Sequence, residues 1–308
     1  MSTAVTEVTA TGRSAQTRGF AIVAGTYVIW GAIGALVDWA TAPESLLLVL
    51  RFGTASVILT LIFARRKTFA EYRLPGVAWR MLLMGIFDSG ALICFFIALR
   101  ELGVAAGMFL FFTGPVFVAL LAPRLTRQPT DKIVWPSLAL ALAGLGAILV
   151  PGLSGTAVHF SALGVGFGVA GAVVWAFFMM TMKSLTQDVS SNALVLGECW
   201  MDCIFMVPLA LWQTIGSGYS LTSHDVISGV VLGVVCTALA YWMFVVGLRH
   251  IRVQHASILA YLEPVTAPLY ALVLLGERPA RWTLAGGALI LVAGVLVVWF
   301  GKPEEVPA

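Results

Sequence analysis

The sequence predicts an all-α integral membrane protein of ten transmembrane helices, arranged as two inverted five-helix repeats. Three observations carry that reading. Of 308 residues, 60% are hydrophobic and only 11% charged, with a mean hydropathy of +0.97; a soluble globule runs nearer a quarter charged. Ten apolar runs follow one another between charged or Pro/Gly-rich breaks. A stretch of the first half also returns without a gap 149 residues later.

The runs fall in order along the chain. Span 1 (20–38) follows a Ser/Thr-rich tail with Arg13 and Arg18, and span 2 (44–64) opens at Glu44 and stops at Arg65-Arg66-Lys67. Span 3 (77–99) lies between Arg73 and Arg100, and span 4 (104–123) ends against Arg124. Span 5 (132–150) begins at Lys132 and stops at Pro151-Gly152, while span 6 (160–182) ends at Lys183. Span 7 (192–214) gives way to Gly216-Ser217-Gly218, and span 8 (226–248) to Arg249. Span 9 (254–275) meets Gly276-Glu277-Arg278-Pro279, and span 10 (282–300) lies between Arg281 and Lys302. Crossing a bilayer takes about 20 apolar residues, so ten spans use roughly 200 and leave no room for a sizeable soluble domain. The expected organisation is a disordered cytoplasmic tail (1–19), a first repeat (20–151), a second repeat (152–301) and a short cytoplasmic tail (302–308). Nine further spans make residues 20–38 an uncleaved first helix rather than a signal peptide.

The net charge of +3 is too small to point to nucleic acid. Placement matters more. With the N-terminus inside, fourteen of the eighteen basic residues fall on the cytoplasmic side; the other side keeps Arg51, Arg100, Arg278 and Arg281. Positive loops are retained in the cytoplasm, which places both termini there. The four cysteines, Cys94, Cys199, Cys203 and Cys236, lie inside apolar runs with no CxxC pair, and read as buried thiols.

Residues 98–115 (ALRELGVAAGMFLFFTGP) align with 247–264 (GLRHIRVQHASILAYLEP), five identities in eighteen. Trp30 with Trp175, Arg51 with Glu198 and Gly144 with Gly294 pair at nearly the same shift. Each half holds five spans, an odd number, so the second copy enters the membrane from the opposite side. Inverted repeats mark alternating-access carriers, whose substrate site lies near the midplane between the halves.

Trp30, Arg51-Phe52 and Ala98-Leu99-Arg100 leading to Pro115 form an ordered series in the first half. Pro264, Leu275-Gly276-Glu277-Arg278-Pro279 and the helix from Gly286-Gly287 to Gly294 continue it in the second. In this series the chain resembles the ten-helix drug/metabolite transporter superfamily, and its EamA-type carriers, over nearly its full length. The resemblance implies a basket of two inverted bundles around a central cavity, lined mainly by spans 1, 3, 4, 6, 8 and 9, with spans 2 and 7 outside it. It also implies export of small metabolites. Within the superfamily the chain resembles bacterial amino-acid exporters, including the aromatic amino-acid exporter branch, although Phe112-Thr113-Gly114-Pro115 departs from that branch's more polar and aromatic version.

A charged side chain at mid-span costs on the order of 2.5 to 3.5 kcal/mol, so each needs a partner, water or a task. Asp88, Asp202 and Glu263 lie roughly 13 to 17 Å from their helix starts at 1.5 Å per residue, close to the midplane. Glu263 and then Asp88 are the candidates for a substrate ammonium or a coupling proton, with structural pairing as the alternative for each. Glu198 and Asp202, four apart, share one face of span 7 and suit a proton relay. As repeat-equivalent charges, Arg51 and Glu198 are expected to pair with neighbours, and Asp38 and Glu44 are the local partners expected for Arg51. Cys199 and Cys203 beside these carboxylates imitate a metal site, but no His lies near, and neither metal nor cofactor is expected.

Pro115 and Pro264 occupy equivalent positions inside spans 4 and 9. Each removes an amide donor and is expected to free the carbonyl four residues earlier, at Phe111 and Ala260, for a hinge or cavity role. Among the many aromatics, Trp30, Phe95, Phe112, Trp175, Tyr241 and Tyr261 are placed at the substrate; their apolar faces, with donors on the Trp and Tyr, suit an amphiphilic molecule. Gly144, Gly146, Gly164, Gly168, Gly286 and Gly287 are read as helix packing first and homo-oligomerisation second. His250 and His255 are read as loop or interface residues, as are His159 and His224.

No nucleophile–base pair and no GxxxxGK[ST] loop occurs in the sequence, so an enzyme is not expected and transport would run downhill or on an ion gradient. The function expected is export of small neutral, hydrophobic or aromatic amino acids by alternating access. The alternative is export of lipophilic cations. The partners expected are a small-molecule substrate and the lipid bilayer.

Overall fold

The computed structural model describes residues 2–63, 65–125, 129–154, 161–276 and 280–302, with side chains described except at 2–13, 150–154, 216, 217 and 275. Arg127, His159 and Glu277-Arg278-Pro279, singled out in the sequence, lie outside the described residues. No strand occurs among those described, and every predicted apolar run is a helix. Among the described residues, nine helical stretches are long and apolar enough to cross a bilayer; the fifth run is an apolar helix too, shorter at Val134–Leu149 by the same measure.

Several spans are composite. Span 1 is Ser2–Trp30 continued by Ala32–Asp38, so the residues expected as a disordered tail are helical. Spans 2 and 3 are Glu44–Phe63 and Val77–Leu102, joined through a short helix at Arg66–Glu71. Span 4 is broken into Val104–Phe111 and Gly114–Leu125, and span 9 into Val253–Leu259 and Leu262–Leu275. Spans 5, 6, 7 and 10 are Val134–Ser154, Ala162–Leu185, Ser191–Ser217 and Arg281–Phe300. Span 8 runs from Ser223 to Leu248 with a π-helical segment at Leu232–Leu239, which no hydropathy pattern announces.

The breaks correct one expectation for the prolines, the free carbonyl at Ala260. Pro115 and Pro264 stand in the first turn of a second half-helix, where a missing amide costs no helical bond. The Ala260 carbonyl is therefore not free, because the Glu263 amide donates to it at 3.1 Å. At the first break the Thr113 amide donates to Leu110 at 3.1 Å and the Val116 amide to Thr113 at 2.8 Å, so each break is a tight turn rather than a gap.

With no water to exclude between them, membrane helices associate by close packing, which favours glycine. A Cβ on Gly144 of span 5 would lie 2.6 Å from the Gly286 carbonyl oxygen of span 10. One on Gly164 would lie 2.7 Å from Leu102 of span 3, and one on Gly168 would lie 2.8 Å from Leu110 of span 4. Gly229 and Gly233 of span 8 meet Leu50 (2.5 Å) and Thr54 (2.6 Å) of span 2 in the same way. The outer surface is apolar, with Leu61 82% and Ile215 79% exposed, as lipid requires.

The end of the bundle bearing most basic residues is tied by side-chain bonds to backbone. Gln16 donates to the Gly301 carbonyl at 3.2 Å, so the start of span 1 and the end of span 10 share this end. Lys183 donates to the Leu248 (2.6 Å) and Ile251 (2.9 Å) carbonyls. Arg249 donates to Ser191, at 2.8 Å, and to the Thr186 and Val189 carbonyls, and its burial lowers its pKa from the ordinary arginine value. His255, wholly buried, stacks on Phe20 at 5.7 Å and lies 3.5 Å from Asp131. At the opposite end Asp225 holds the 1–2 and 7–8 connections together, accepting from the Thr41 and Ala42 amides (2.8 and 2.9 Å) and from Tyr219 (2.5 Å).

Candidate functional site

The two broken helices meet. Tyr261, at the break in span 9, donates its hydroxyl to the Phe112 carbonyl at the break in span 4, 2.7 Å away, and their rings lie 6.1 Å apart. Both side chains are buried. The break withdraws the Phe112 carbonyl from regular helix bonding, and the tyrosine supplies a partner that a buried carbonyl needs.

Around this contact the structure gathers the predicted aromatics into two groups. Phe95 of span 3 and Trp175 of span 6 both pack on Phe111 (4.6 and 6.5 Å), which in turn lies 6.2 Å from Phe112. Trp175 fits against the span 4 restart because residue 114 is glycine; a Cβ there would lie 2.6 Å from the indole. On the other side Trp30 of span 1 packs on Tyr241 of span 8 (5.1 Å), with Tyr27 and Phe244 completing the group. Trp30 donates its indole N–H to the Cys236 carbonyl at 2.7 Å, a bond made within the π-helical segment. Sequence reasoning named neither Tyr27 nor Phe244. Tyr27 was within reach of a pattern argument, since it stands three residues before Trp30 on one helix face.

Glu263 stands in the first turn of the second half of span 9, partly buried, within electrostatic reach of Tyr27 and of the Arg51 guanidinium. Among the described residues, no hydrogen bond or ion pair to its carboxylate is recorded. Asp88 is buried and accepts from the Tyr241 hydroxyl at 3.4 Å. Tyr241 therefore joins Asp88 to Trp30.

Arg51 departs from expectation. Glu44 pairs instead with Arg100 at 3.0 Å. Arg51 turns inward, 8% exposed, donates Nε to the Thr237 hydroxyl at 2.6 Å, and lies 5.3 Å from the Phe52 ring. Its charge acts on Asp88, Glu198 and Glu263. The reason lies in span 8: Thr237 sits in the π-helical segment and bonds the Leu232 carbonyl five residues back, which fixes its oxygen as an internal acceptor.

Spans 2 and 7, which the resemblance places outside the cavity, thus bring charge into the interior. Glu198 and Asp202 are both 0% exposed, and Ser89 of span 3 donates to Asp202 at 3.3 Å. One carboxylate oxygen each from Asp88, Glu198 and Asp202 lies within 4.8 Å of the other two. Cys199 and Cys203 are free thiols. A crevice of about 190 Å³ between spans 2, 3 and 7, with Leu48, Phe96, Met206 and Trp212 in its wall, is lined by none of the predicted site residues.

Comparison with known proteins agrees with this architecture. The chain is 24% identical over 278 residues to the uncharacterized transporter YwfM of Bacillus subtilis, covering 87% of this chain and 89% of that protein. It is 27% identical over 246 residues to the threonine/homoserine exporter RhtA of Escherichia coli K12, covering 78% of this chain and 77% of the exporter. A crystal structure with 19% sequence identity superposes with a TM-score of 0.75 over 92% of this chain and 96% of the other, which supports the fold alone. The model of the EamA-like transporter family matches residues 17–150 and again 162–300, once for each five-helix half. The chain is a multi-pass membrane transporter and belongs to the EamA-like family, within the drug/metabolite transporter superfamily.

Proposed function

We propose that this transporter exports small neutral amino acids, hydrophobic and aromatic ones included, or close chemical relatives, from the cytoplasm by alternating access. The observation that carries the reading is the meeting of the two broken helices at Phe112 and Tyr261. Half-helix N-termini at a midplane break favour an anionic group such as a substrate carboxylate. Glu263, beside that break, offers the complementary charge to an ammonium. Trp30, Phe95, Trp175 and Tyr241 supply apolar faces for a side chain. RhtA, named for threonine and homoserine, gives a relative of matching substrate chemistry.

The 14 to 4 division of basic residues supports cytoplasmic termini, and the bacterial relatives support a bacterial inner membrane. In that orientation the Lys183, Arg249 and Gln16 bonds close the cytoplasmic end, and Asp225 closes the outer end. Pro115 and Pro264 start the half-helices that tilt about the breaks. The test is counterflow of labelled threonine, methionine and phenylalanine in proteoliposomes; exchange of none of them would remove the amino-acid reading.

A second reading, export of lipophilic cations, is favoured by one observation: Asp88 and Glu263 are carboxylates set among aromatic faces, a combination that suits a delocalised cation. Under it, overexpression gives resistance to cationic dyes that Glu263→Gln abolishes. Unchanged dye sensitivity would reject it.

A further inference from the structure

The aromatic site does not account for the charge buried beside it. Asp88 of span 3 and Glu198 and Asp202 of span 7 bring three carboxyl groups together, with oxygens within 4.8 Å. Glu198 is wholly buried, and both its carboxylate oxygens lack a hydrogen-bond partner among the described residues, as does Oδ2 of Asp202. Among the described residues, one cation faces them. Arg51 of span 2 acts on Asp88 and Glu198 by charge, but spends its Nε on Thr237. Among the described residues, the other groups facing the cluster are Ser89, the Cys199 thiol and the Tyr241 hydroxyl, none of them positive.

Three carboxylates and one guanidinium leave two negative charges in an apolar interior, which a protein avoids by binding protons or a cation. The spacing selects protons: one carboxylate oxygen each of Asp88, Glu198 and Asp202 lies within 4.8 Å of the other two, and like charges held that close in an apolar setting do not all ionise. A proton on Glu198, whose oxygens have no partner among the described residues, removes a buried charge that costs far more unpaired than a neutral acid does.

We propose that Asp88, Glu198 and Asp202 form a proton-binding site between spans 3 and 7, distinct from the aromatic substrate site and joined to it through Tyr241. The site takes up a proton on a carboxylate oxygen and later releases it, so the only bond made and broken is O–H. Protonation alters the Asp88–Tyr241 bond, and Tyr241 packs on Trp30 at 5.1 Å. The occupancy of the site is thereby felt at the substrate, which is what couples a carrier to a proton gradient. The binding site stands on this geometry alone; its coupling role rests on the transport reading above.

The two parts are tested separately. In the purified transporter, infrared difference spectra between acid and alkaline buffer should show a protonated carboxyl band from an apolar setting that disappears in alkali. Glu198→Gln and Asp202→Asn should each remove part of it, both checked by monodisperse elution so that either suffices if the other misfolds. A spectrum without such a band overturns the proposal, and so does a band displaced at constant pH by sodium or magnesium ions, which would make this a metal-cation site. In proteoliposomes, an imposed pH gradient should drive accumulation that falls to the gradient-free level in Glu198→Gln while counterflow continues. Accumulation indifferent to the pH gradient in the parent protein overturns the coupling. Failure of every amino acid to move would instead count against the substrate reading, with the infrared result still deciding the site.

Discussion

Tyr261 and Phe112 are joined by a 2.7 Å hydrogen bond and stand 149 residues apart, the period of the internal duplication. Equivalent residues of two inverted repeats touch each other only near the pseudo-two-fold axis, so this bond marks the axis. Its asymmetry has a chemical basis: the second repeat has a phenol where the first has a phenyl ring, and the hydroxyl satisfies the carbonyl that the first break exposes.

Tyr261→Phe removes that donor and leaves a buried carbonyl unsatisfied. The expected cost is about 1 to 3 kcal/mol of stability. Differential scanning fluorimetry reads the stability, and counterflow should slow alongside it. An unchanged melting temperature would show that the carbonyl finds another partner.

Gly144→Val places side-chain atoms against the Gly286 backbone, where a Cβ alone already lies 2.6 Å from its carbonyl oxygen. Spans 5 and 10 must separate, at about 1 to 3 kcal/mol or more. Gly34→Ala is the control, since a Cβ there meets nothing within 4 Å. Thermal unfolding in detergent should separate the two variants clearly.

Arg51→Met removes the cation beside Asp88 and Glu198 together with the bond to Thr237, and should destabilise by about 1 to 3 kcal/mol. Thr237→Val is milder, removing only the 2.6 Å acceptor. If Arg51→Met retains parental stability, the guanidinium does not serve the cluster.

Trp30→Phe keeps a ring against Tyr241 and loses the 2.7 Å bond to the Cys236 carbonyl. The expected result is a KM raised several-fold, about 1 kcal/mol for a single net hydrogen bond, together with weaker substrate-induced quenching of indole emission, the remainder coming from Trp175. An equal KM would place Trp30 outside the substrate site.

Arg249→Ala removes the bonds to Thr186, Val189 and Ser191 that tie the 8–9 connection to span 7 and the 6–7 turn. The basic end should open more often. Hydrogen exchange at residues 184–191 should quicken, while exchange around Asp225 at the other end stays unchanged.

The ten helices were legible because a bilayer imposes one length and one polarity on each of them. The meeting of Phe112 with Tyr261 was legible in outline, since the repeat paired the residues before the structure brought them together. The direction of Arg51 was not. It depends on Thr237, whose position follows from π-helical turns in span 8, and an apolar stretch such as LGVVCTAL reads the same with or without them. The two proline positions were found, but the Ala260 carbonyl expected to be free is bonded, because periodicity shows a continuous span where the backbone makes two half-helices.

The central claim is that the broken-helix site, with Glu263 beside it, carries a small amino acid. The most direct measurement is threonine counterflow into proteoliposomes by the parent transporter and by Glu263→Gln at matched protein content. The account predicts robust exchange by the parent and loss of at least tenfold in the variant, about 1.4 kcal/mol of ammonium recognition at a charged hydrogen bond. Equal exchange by both would contradict the placement of the substrate at Glu263.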